Sequence, residues 1–282
     1  MRRFARALLM TFFFLPLTAA VAGDVPYVPT PENVVEEMLR MANVGRDDLL
    51  YDLGCGDGRI VVTAAKRMGA RGVGVDIDPE RIRESRENAR RAGVTQQVQF
   101  MEMDLFQVDF SQATVVTLYL LPDVNLRLRP KLLRELKPGT RLVSHDFDMR
   151  DWEADETTEV NSHTIYFWTI PANAGGTWIW TARGPQGEET YRMELRQKFQ
   201  QAEGQLTVGD ASFPMRHVRI HGDRLQFSIE RGVNGGKDTM RFEGRIADDR
   251  LQGTMKSGTD ERPWQATREP QTMQPIDGEV RL

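Results

Sequence analysis

Two patterns in the sequence indicate an α/β fold, a doubly wound parallel sheet, followed by a small all-β antiparallel barrel or sandwich. Between about residues 49 and 144, short apolar runs alternate with helical stretches, which is typical of parallel strands joined by crossover helices. After about residue 175 the alternation of helix and strand stops. Period-two runs separated by turn residues follow, and such runs indicate antiparallel strands.

Composition narrows the class of protein. The chain has 282 residues, of which 40% are hydrophobic, and its net charge is −4, so it is a globular protein large enough for two domains. The mean hydropathy of −0.48 excludes a polytopic membrane protein. The near balance of acidic and basic residues argues against nucleic-acid binding through a basic surface. With one cysteine, Cys55, the chain has no intramolecular disulfide.

The first 22 residues have the pattern of a targeting segment. Arg2, Arg3 and Arg6 precede the apolar run Ala7–Ala22, which ends in the small-residue sequence Ala-Val-Ala. This pattern is typical of a secretory signal peptide, and an uncleaved N-terminal anchor is the alternative. We therefore expect the protein to be exported, to the periplasm or the extracellular space, or to be anchored in a membrane through its N-terminus.

Five strands and three helices are predicted in the middle of the chain. The strands are residues 49–53, 72–77, 98–103, 114–120 and 140–144. The helices are residues 60–68, 79–92 and 126–136. Pro79 suits the first position of its helix, and Gly93 suits its end.

Glycines and an acid follow the first two strands. Gly54, Gly56 and Gly58 come directly after the first strand, where residues without a Cβ let the backbone turn tightly and approach a ligand. Asp76 ends the second strand, 22 positions after Gly54. In sheets of this kind ligands bind beyond the carboxyl ends of the strands, and an acid at this place accepts hydrogen bonds from ribose hydroxyls.

Two further acids lie at the same edge of the predicted sheet. Asp104 follows the third strand, within reach of an adenine amine, and Asp52 precedes the glycines, where it suits a cationic ligand group. A dinucleotide fingerprint, G-x-G-x-x-G, would need a glycine directly after Gly58, where this sequence has Arg59. The Gly-Lys-Ser/Thr ending of a Walker loop is absent from the pattern as well. The combination of three acids and the glycine loop is more specific than any one part.

The chain at this point resembles the class I S-adenosylmethionine-dependent methyltransferases. Asp52–Gly58 looks like their first motif, Asp76 like their ribose acid, and Met103-Asp104 like their adenine-edge motif. The resemblance narrows to the lysine methyltransferase family whose members act on the adenine nucleotide translocase and on the c subunit of ATP synthase. It rests on Tyr27–Thr30, Asp57–Val61, Asp104-Leu105 and Leu136–Ser144.

The resemblance implies a fold, a cofactor and a set of site residues. The fold would be a seven-stranded Rossmann-like sheet, with two terminal strands supplied by residues 152–160 and 162–170. The cofactor would be S-adenosyl-L-methionine. The residues expected to bind it are Asp52, Gly54, Gly56, Gly58, Asp76, Asp104 and Tyr27, the last as part of a lid. Tyr119 is the candidate for lining the methyl channel, although a packed aromatic is the simpler interpretation of both tyrosines.

Several other reactive residues have simpler interpretations. Asp57 and Asp78 suit helix caps. Cys55 has no partnering base and reads as a small loop residue. No metal site is predicted, because the four histidines do not have metal-ligand spacing. They are His145, His163, His217 and His221.

The predicted organisation has four parts: a signal peptide or anchor (1–22), a methyltransferase domain (23–171), an antiparallel β domain (172–270) and a disordered tail (271–282). The favoured function is methyl transfer to a protein lysine. A small-molecule or lipid acceptor is the first alternative. A noncatalytic exported binding protein that keeps the fold is the second. No nucleic-acid partner is expected, and membrane contact is expected only through the N-terminal segment.

Overall fold

The computed structural model describes residues 27–184, 187–233 and 236–277, and these form two sheets. The predicted signal peptide or anchor lies outside this part of the chain. Within the described residues, no helix combines the length and the apolar character needed to cross a membrane.

The first sheet has seven strands. They are β1 (Leu49–Leu53), β2 (Arg71–Asp76), β3 (Val98–Glu102), β4 (Val115–Leu118), β5 (Arg141–His145), β6 (Glu156–Val160) and β7 (His163–Thr169). Their order across the sheet is β3-β2-β1-β4-β5-β7-β6. The first five strands are parallel, and β7 runs antiparallel to β5 and to β6. The seven-stranded methyltransferase fold is thus confirmed as a mixed sheet.

The helices depart from the sequence expectation at two places. They are α1 (Glu32–Met41), α2 (Arg59–Thr63), α3 (Pro79–Ala92) and α4 (Pro122–Glu135), with a π-helical turn (Ala64–Met68) that continues α2. Helix α1 was not predicted from the sequence. Helix α4 begins before the predicted residue 126, because Pro122 occupies its first turn, where its missing N–H costs nothing.

The apolar side chains of the first sheet form two clusters, and neighbouring strand residues divide between them. Leu50 belongs to one cluster and Leu53 to the other, and Val115 and Val116 divide in the same way. Buried residues of α1, α2 and α3 belong to the first cluster, while Leu128 and Leu132 of α4 belong to the second. This packing holds the carboxyl ends of β1–β5 in one row.

The second sheet is antiparallel and has nine strands. They are β8 (Gly176–Gly184), β9 (Gly187–Lys198), β10 (Gln201–Val208), β11 (Ala211–Pro214), β12 (Arg216–His221), β13 (Arg224–Val233), β14 (Gly236–Ala247), β15 (Arg250–Ser257) and β16 (Asp260–Arg268). Their order is β11-β10-β9-β8-β16-β15-β14-β13-β12. The two end strands follow each other in the chain, and the Met215 N–H between them donates to the Gly204 carbonyl. The sheet is therefore barrel-like and nearly closed.

Aromatic side chains form part of the buried core of the second sheet. Trp180 stacks on Tyr191 with ring centroids 5.0 Å apart and tilts against Trp264 at 4.8 Å. Phe227 stacks on Phe242 at 4.6 Å. All five are less than 5% exposed, which is the outcome that period-two alternation predicts for a half-buried sheet.

Two turns of the barrel contact the first sheet. Phe199, between β9 and β10, stacks on Trp152 with ring centroids 5.6 Å apart and belongs to the second apolar cluster of the first sheet. The Gly222 turn, between β12 and β13, accepts a hydrogen bond from the Ala172 N–H at 2.7 Å and lies against Gly139. Because Gly139 precedes β5, the second contact is at the amino end of that strand.

The prediction of a disordered tail is wrong for residues 271–277, which the structure holds against the barrel. The Thr177 N–H donates to Thr272 Oγ1 at 3.0 Å, and Asn173 donates to the Gln274 carbonyl at 2.8 Å. The Phe199 N–H donates to the Ile276 carbonyl. These partners lie far away in sequence, which is why local composition did not indicate them. Residues 278–282 of the predicted tail lie outside the described chain.

Candidate functional site

A glycine loop follows β1 at the carboxyl edge of the first sheet. Gly54, Gly56 and Gly58 have φ of +83°, +52° and +76°, a region that residues with a Cβ rarely adopt. Space is equally restrictive, because a Cβ at Gly54 would lie 2.6 Å from Leu120, a residue that follows β4. The loop therefore needs glycine at these positions for both conformation and packing.

Asp76 ties the glycine loop to the end of β2. Its carboxylate accepts from the Gly56 N–H at 2.8 Å and from the Asp78 N–H at 3.0 Å. The side chain is half-buried, so carboxylate lone pairs remain accessible at the sheet edge. Asp76 thus lies beside the loop, as its position in the sequence predicts.

Asp52 lies beneath the glycine loop and is 2% exposed. Thr117 of β4 donates to its Oδ1 at 2.8 Å. Burial raises the pKa of Asp52 to about 7, because the Thr117 hydrogen bond offsets only part of the desolvation and the nearby Asp76 and Asp57 add like charge. A cationic group placed here would restore the ionised form.

Tyr27 packs over the glycine loop. A Cβ on Gly56 would lie 2.5 Å from the Tyr27 ring, and the Arg81 guanidinium lies 4.6 Å from the ring centroid. The same N-terminal segment is held by Arg59, which donates to the Thr30 carbonyl at 2.9 Å and pairs with Asp57 at 2.7 Å. Arg59 belongs to a motif of the sequence, but no role was predicted for it.

Asp104 follows β3, next in the row of strand ends. Its Oδ1 accepts from the Phe106 N–H at 2.9 Å, and its carbonyl accepts from the Gln107 N–H. The neighbouring Met103 N–H donates to the Asp76 carbonyl at 2.9 Å. Asp52, Asp76 and Asp104 therefore stand at the ends of three adjacent strands around one glycine loop.

Tyr119 lies at the end of β4, beside a cluster of polar side chains that was not predicted from the sequence. Its ring is 3.9 Å from that of His145, centroid to centroid. His145 Nε2 lies 3.0 Å from His163 Nδ1, and Asp146 Oδ2 lies 2.9 Å from the same His163 atom. Thr30 Oγ1 contacts His145 Nδ1 at 3.2 Å. We call Thr30, Tyr119, His145, Asp146 and His163 the histidine cluster.

Burial governs the ionisation of the histidine cluster. His145 is fully buried, and desolvation lowers the pKa of its imidazole despite the neighbouring Asp146 carboxylate. The side chain is therefore neutral near pH 7, with one ring nitrogen carrying a lone pair. Desolvation also raises the pKa of the Tyr119 hydroxyl, which stays protonated. The sequence signal for the cluster was weak, since His145 and His163 are 18 positions apart on antiparallel strands.

The glycine loop and the histidine cluster are joined by a short segment of chain. Tyr27 covers the loop and Thr30 contacts His145, and three residues of extended chain span at most about 10–11 Å. One molecule of cofactor size can therefore reach from the loop toward the cluster. A groove of about 1040 Å³ lies elsewhere, on the barrel between β9–β11 and residues 271–274, and its lining has no cluster of reactive groups among the described residues.

Asp78 and Cys55 have the simpler of the roles considered for them, a helix cap and a small buried loop residue. Asp78 is the N-cap of α3, and its side chain accepts from the Glu80 N–H. Cys55 is buried within the glycine loop, and burial raises the pKa of its thiol. A protonated thiol is a poor nucleophile.

A domain family described as the ANTKMT methyltransferase domain matches residues 52–156. A protein-lysine N-methyltransferase of Saccharolobus islandicus is 52% identical over 151 residues, which are 52% of this chain and 94% of that protein. A mouse lysine N-methyltransferase named for an ATP synthase subunit is 36% identical over 151 residues. This chain spans only 60% of the length of the mouse protein.

A solved structure is similar as well. A chain named as an RNA methyltransferase from Salinibacter ruber, in complex with S-adenosyl-L-homocysteine, is 57% identical with a TM-score of 0.50. The match covers 51% of this chain and 94% of that one. The similarity thus concerns about half of this chain.

Proposed function

This chain belongs to the ANTKMT methyltransferase domain family, and we propose that it methylates the side-chain amine of a lysine in a protein. It is an S-adenosylmethionine-dependent methyltransferase. The observation that carries the lysine proposal is the 52% identity to a protein-lysine N-methyltransferase, of which this chain covers 94%. Relatives named for two further lysine substrates support the same acceptor class.

The cofactor is proposed to bind across the ends of β1, β2 and β3. Asp76 would accept from the ribose hydroxyls and Asp104 from the adenine amine, while Gly54, Gly56 and Gly58 let the backbone approach the ligand. Asp52 would face the cationic amino-acid end. Tyr27 would cover the cofactor, since its ring already lies on Gly56.

The reaction needs a neutral acceptor amine in line with the sulfonium methyl group. The amine nitrogen forms the new bond to carbon, the carbon–sulfur bond breaks, and S-adenosylhomocysteine leaves as a neutral thioether. A lysine amine has an ordinary pKa near 10.4, so it must lose a proton to attack. An apolar channel favours the neutral amine by desolvation, and Tyr119 is proposed to line that channel.

Methyl transfer from radiolabelled cofactor to a membrane-protein extract tests the acceptor class. Label is expected in protein, and mass spectrometry of the digested product is expected to find methylated lysine. Asp76→Ala is expected to abolish transfer. Label that enters only lipid or small molecules would overturn the lysine proposal while leaving the methyltransferase intact.

RNA is a second candidate acceptor, favoured by one observation. The 57% identical chain from Salinibacter ruber is named as an RNA methyltransferase. The net charge of −4 speaks against a broad basic surface, and for this reason we favour protein. Parallel reactions with total RNA and with protein, each treated afterwards with nuclease or protease, separate the two candidates.

We also propose a domain arrangement and a location for the protein. The proposed methyltransferase domain is residues 23–171, with a doubly wound sheet, since α4 packs in a different cluster from α1–α3. The barrel is proposed to be a domain of its own, residues 172–270. The basic and apolar pattern of residues 1–22 supports export or N-terminal anchoring. A reporter fused after Gly23 should be active outside the cytosol, and cytosolic activity alone would refute export.

A further inference from the structure

The histidine cluster has the donor geometry of a metal site. Three atoms that can carry lone pairs, His145 Nε2, His163 Nδ1 and Asp146 Oδ2, lie close to one another. Their mutual separations are 3.0 Å, 2.9 Å and 3.3 Å. Donors that bind one ion at about 2.1 Å lie about 3.0 Å apart when their bonds meet at right angles and about 3.4 Å apart in a tetrahedron. The observed triangle is close to this range.

We infer that His145, Asp146 and His163 bind a divalent first-row transition metal ion, with Zn²⁺ as the representative. Two imidazole nitrogens and one carboxylate oxygen form a donor set that zinc enzymes use, with further coordination positions left to water or substrate. The three residues are brought together at the end of β5 and the start of β7.

The outer hydrogen bonds of the three residues fit metal ligation. Thr30 Oγ1 lies 3.2 Å from His145 Nδ1 and can accept its N–H, which leaves the lone pair on Nε2, the nitrogen near His163 Nδ1 and Asp146 Oδ2. Asp146 Oδ1 accepts from the Thr164 N–H at 2.9 Å, which leaves Oδ2 for the ion. Each of these two ligands is thus oriented by a partner outside the triangle.

The backbone at Asp146 holds its carboxylate toward the two imidazoles. Asp146 has φ of +59°, in the left-handed region, and its N–H donates to the Thr164 carbonyl at 2.7 Å. Residues with a Cβ that are held in this region cluster at functional sites, and aspartate is among those that tolerate it best. The side chains of Asp146 and His163 are 25% and 32% exposed, so an ion reaches them from solvent.

A hydrogen-bonded network without an ion is the competing arrangement. The His163 Nδ1–H would then donate to Asp146 Oδ2, and His145 Nε2, 3.0 Å from the same nitrogen, would accept from that N–H as well. The His145 Nδ1–H would still donate to Thr30 Oγ1, so this outer hydrogen bond is common to both arrangements. The two arrangements differ in whether the apo protein takes up metal.

Equilibrium dialysis of the full-length chain, stripped by a chelator and then exposed to buffered Zn²⁺, tests the inference. We expect one Zn²⁺ per chain at micromolar free metal. Asp146→Asn should weaken binding at least tenfold, and asparagine tolerates the left-handed backbone, so the fold should persist. His163→Ala, at a half-buried position, should have the same effect.

His217→Asn is the matched control, because it removes an imidazole at another left-handed position, on the barrel. It should leave Zn²⁺ binding unchanged. Zn²⁺ should also raise the melting temperature of the wild type and not that of Asp146→Asn. Circular dichroism confirms that each variant is folded. No uptake by the wild type, or equal uptake by Asp146→Asn, would overturn the inference, and neither result bears on methyl transfer.

Discussion

At the scale of single residues, Asp52 is the clearest example of a side chain that lowers the stability of the ligand-free protein and suits a proposed binding role. A carboxylate that is 2% exposed, with one hydrogen bond from Thr117 and acidic neighbours, costs free energy in the protein without its ligand. The same features make it a receptive partner for a cation. The residue is therefore better explained by ligand binding than by folding.

Asp52→Asn should stabilise the ligand-free protein and weaken cofactor binding. The pKa of Asp52 is raised from 3.8 to about 7. Its ionisation therefore lowers the unfolding free energy of the ligand-free protein by about 4 kcal/mol above pH 7. The unpaired amide N–H groups of the new side chain offset about 1–3 kcal/mol of this. We expect a net gain of about 1–3 kcal/mol by urea unfolding at pH 8, and at least tenfold weaker binding by calorimetry. Asp109→Asn, in an exposed loop, is the control.

The affinity for S-adenosylmethionine should depend on pH through Asp52. Because its folded pKa is raised, protonated Asp52 stabilises the ligand-free protein at low pH, and this contribution is lost as pH rises through about 7. The cationic cofactor needs the ionised form, so affinity should fall as pH drops below 7, approaching tenfold per pH unit. Calorimetry between pH 5.5 and 8 checks this. Equal pH dependence in Asp52→Asn would contradict it.

At the scale of elements, the start of α2 is set by a close approach of backbone to side chain. Gly58 is the N-cap of α2, with φ of +76° and no side-chain cap. A Cβ there would lie 2.6 Å from Phe100 of β3 and 2.7 Å from Ser85 of α3. The glycine thus lets α2, α3 and β3 pack together directly behind the glycine loop.

Gly58→Ala and Gly93→Ala separate the cost of this packing from the cost of backbone conformation. Their φ values, +76° and +74°, are nearly equal, but a Cβ on Gly93 meets nothing within 4 Å. Gly93→Ala should cost about 1–2 kcal/mol from the left-handed backbone alone. Gly58→Ala should cost about 1–3 kcal/mol more and weaken cofactor binding, because it displaces α2. Urea unfolding and calorimetry measure both; equal losses of stability would contradict the packing argument.

At the scale of the whole molecule, the barrel contacts the first sheet away from the glycine loop. The Gly222 turn lies at the amino end of β5. Phe199 packs on Trp152, and the Arg129 guanidinium of α4 lies 5.1 Å from the centroid of the Phe199 ring. The glycine loop lies at the opposite, carboxyl edge of the strands. The barrel therefore contacts the side of the first sheet opposite the glycine loop.

Phe199→Ala should uncouple the two sheets without changing cofactor affinity. Phe199 is 2% exposed, and truncation of a buried Phe costs about 3–5 kcal/mol. Calorimetry should show two thermal transitions in place of one, while S-adenosylmethionine affinity stays within about twofold of the wild type. Phe213→Ala, half-buried within the barrel, should keep one transition. A single transition for Phe199→Ala would show that other contacts couple the sheets.

Many elements of the fold were predicted from local sequence. The parallel strands, α3 with its Asp78 cap, the glycine loop and the period-two barrel strands each depend on residues close together in the chain. The helix α1 was not predicted, although Pro31 and Glu32 are signals of a helix start and the buried residues Val34, Val35, Met38 and Leu39 recur at helical spacing. The packing of residues 271–277 on the barrel was missed because their partners are about a hundred positions away.

The row of acids was expected because each acid follows its own strand, and parallel strands bring their carboxyl ends to one edge. The histidine cluster had no such signal. His145 and His163 meet because β7 turns back antiparallel beside β5, and Thr30, whose carbonyl accepts from Arg59, contacts His145. Periodicity and strand-end position are properties of the chain, whereas convergence of side chains from distant segments is a property of packing.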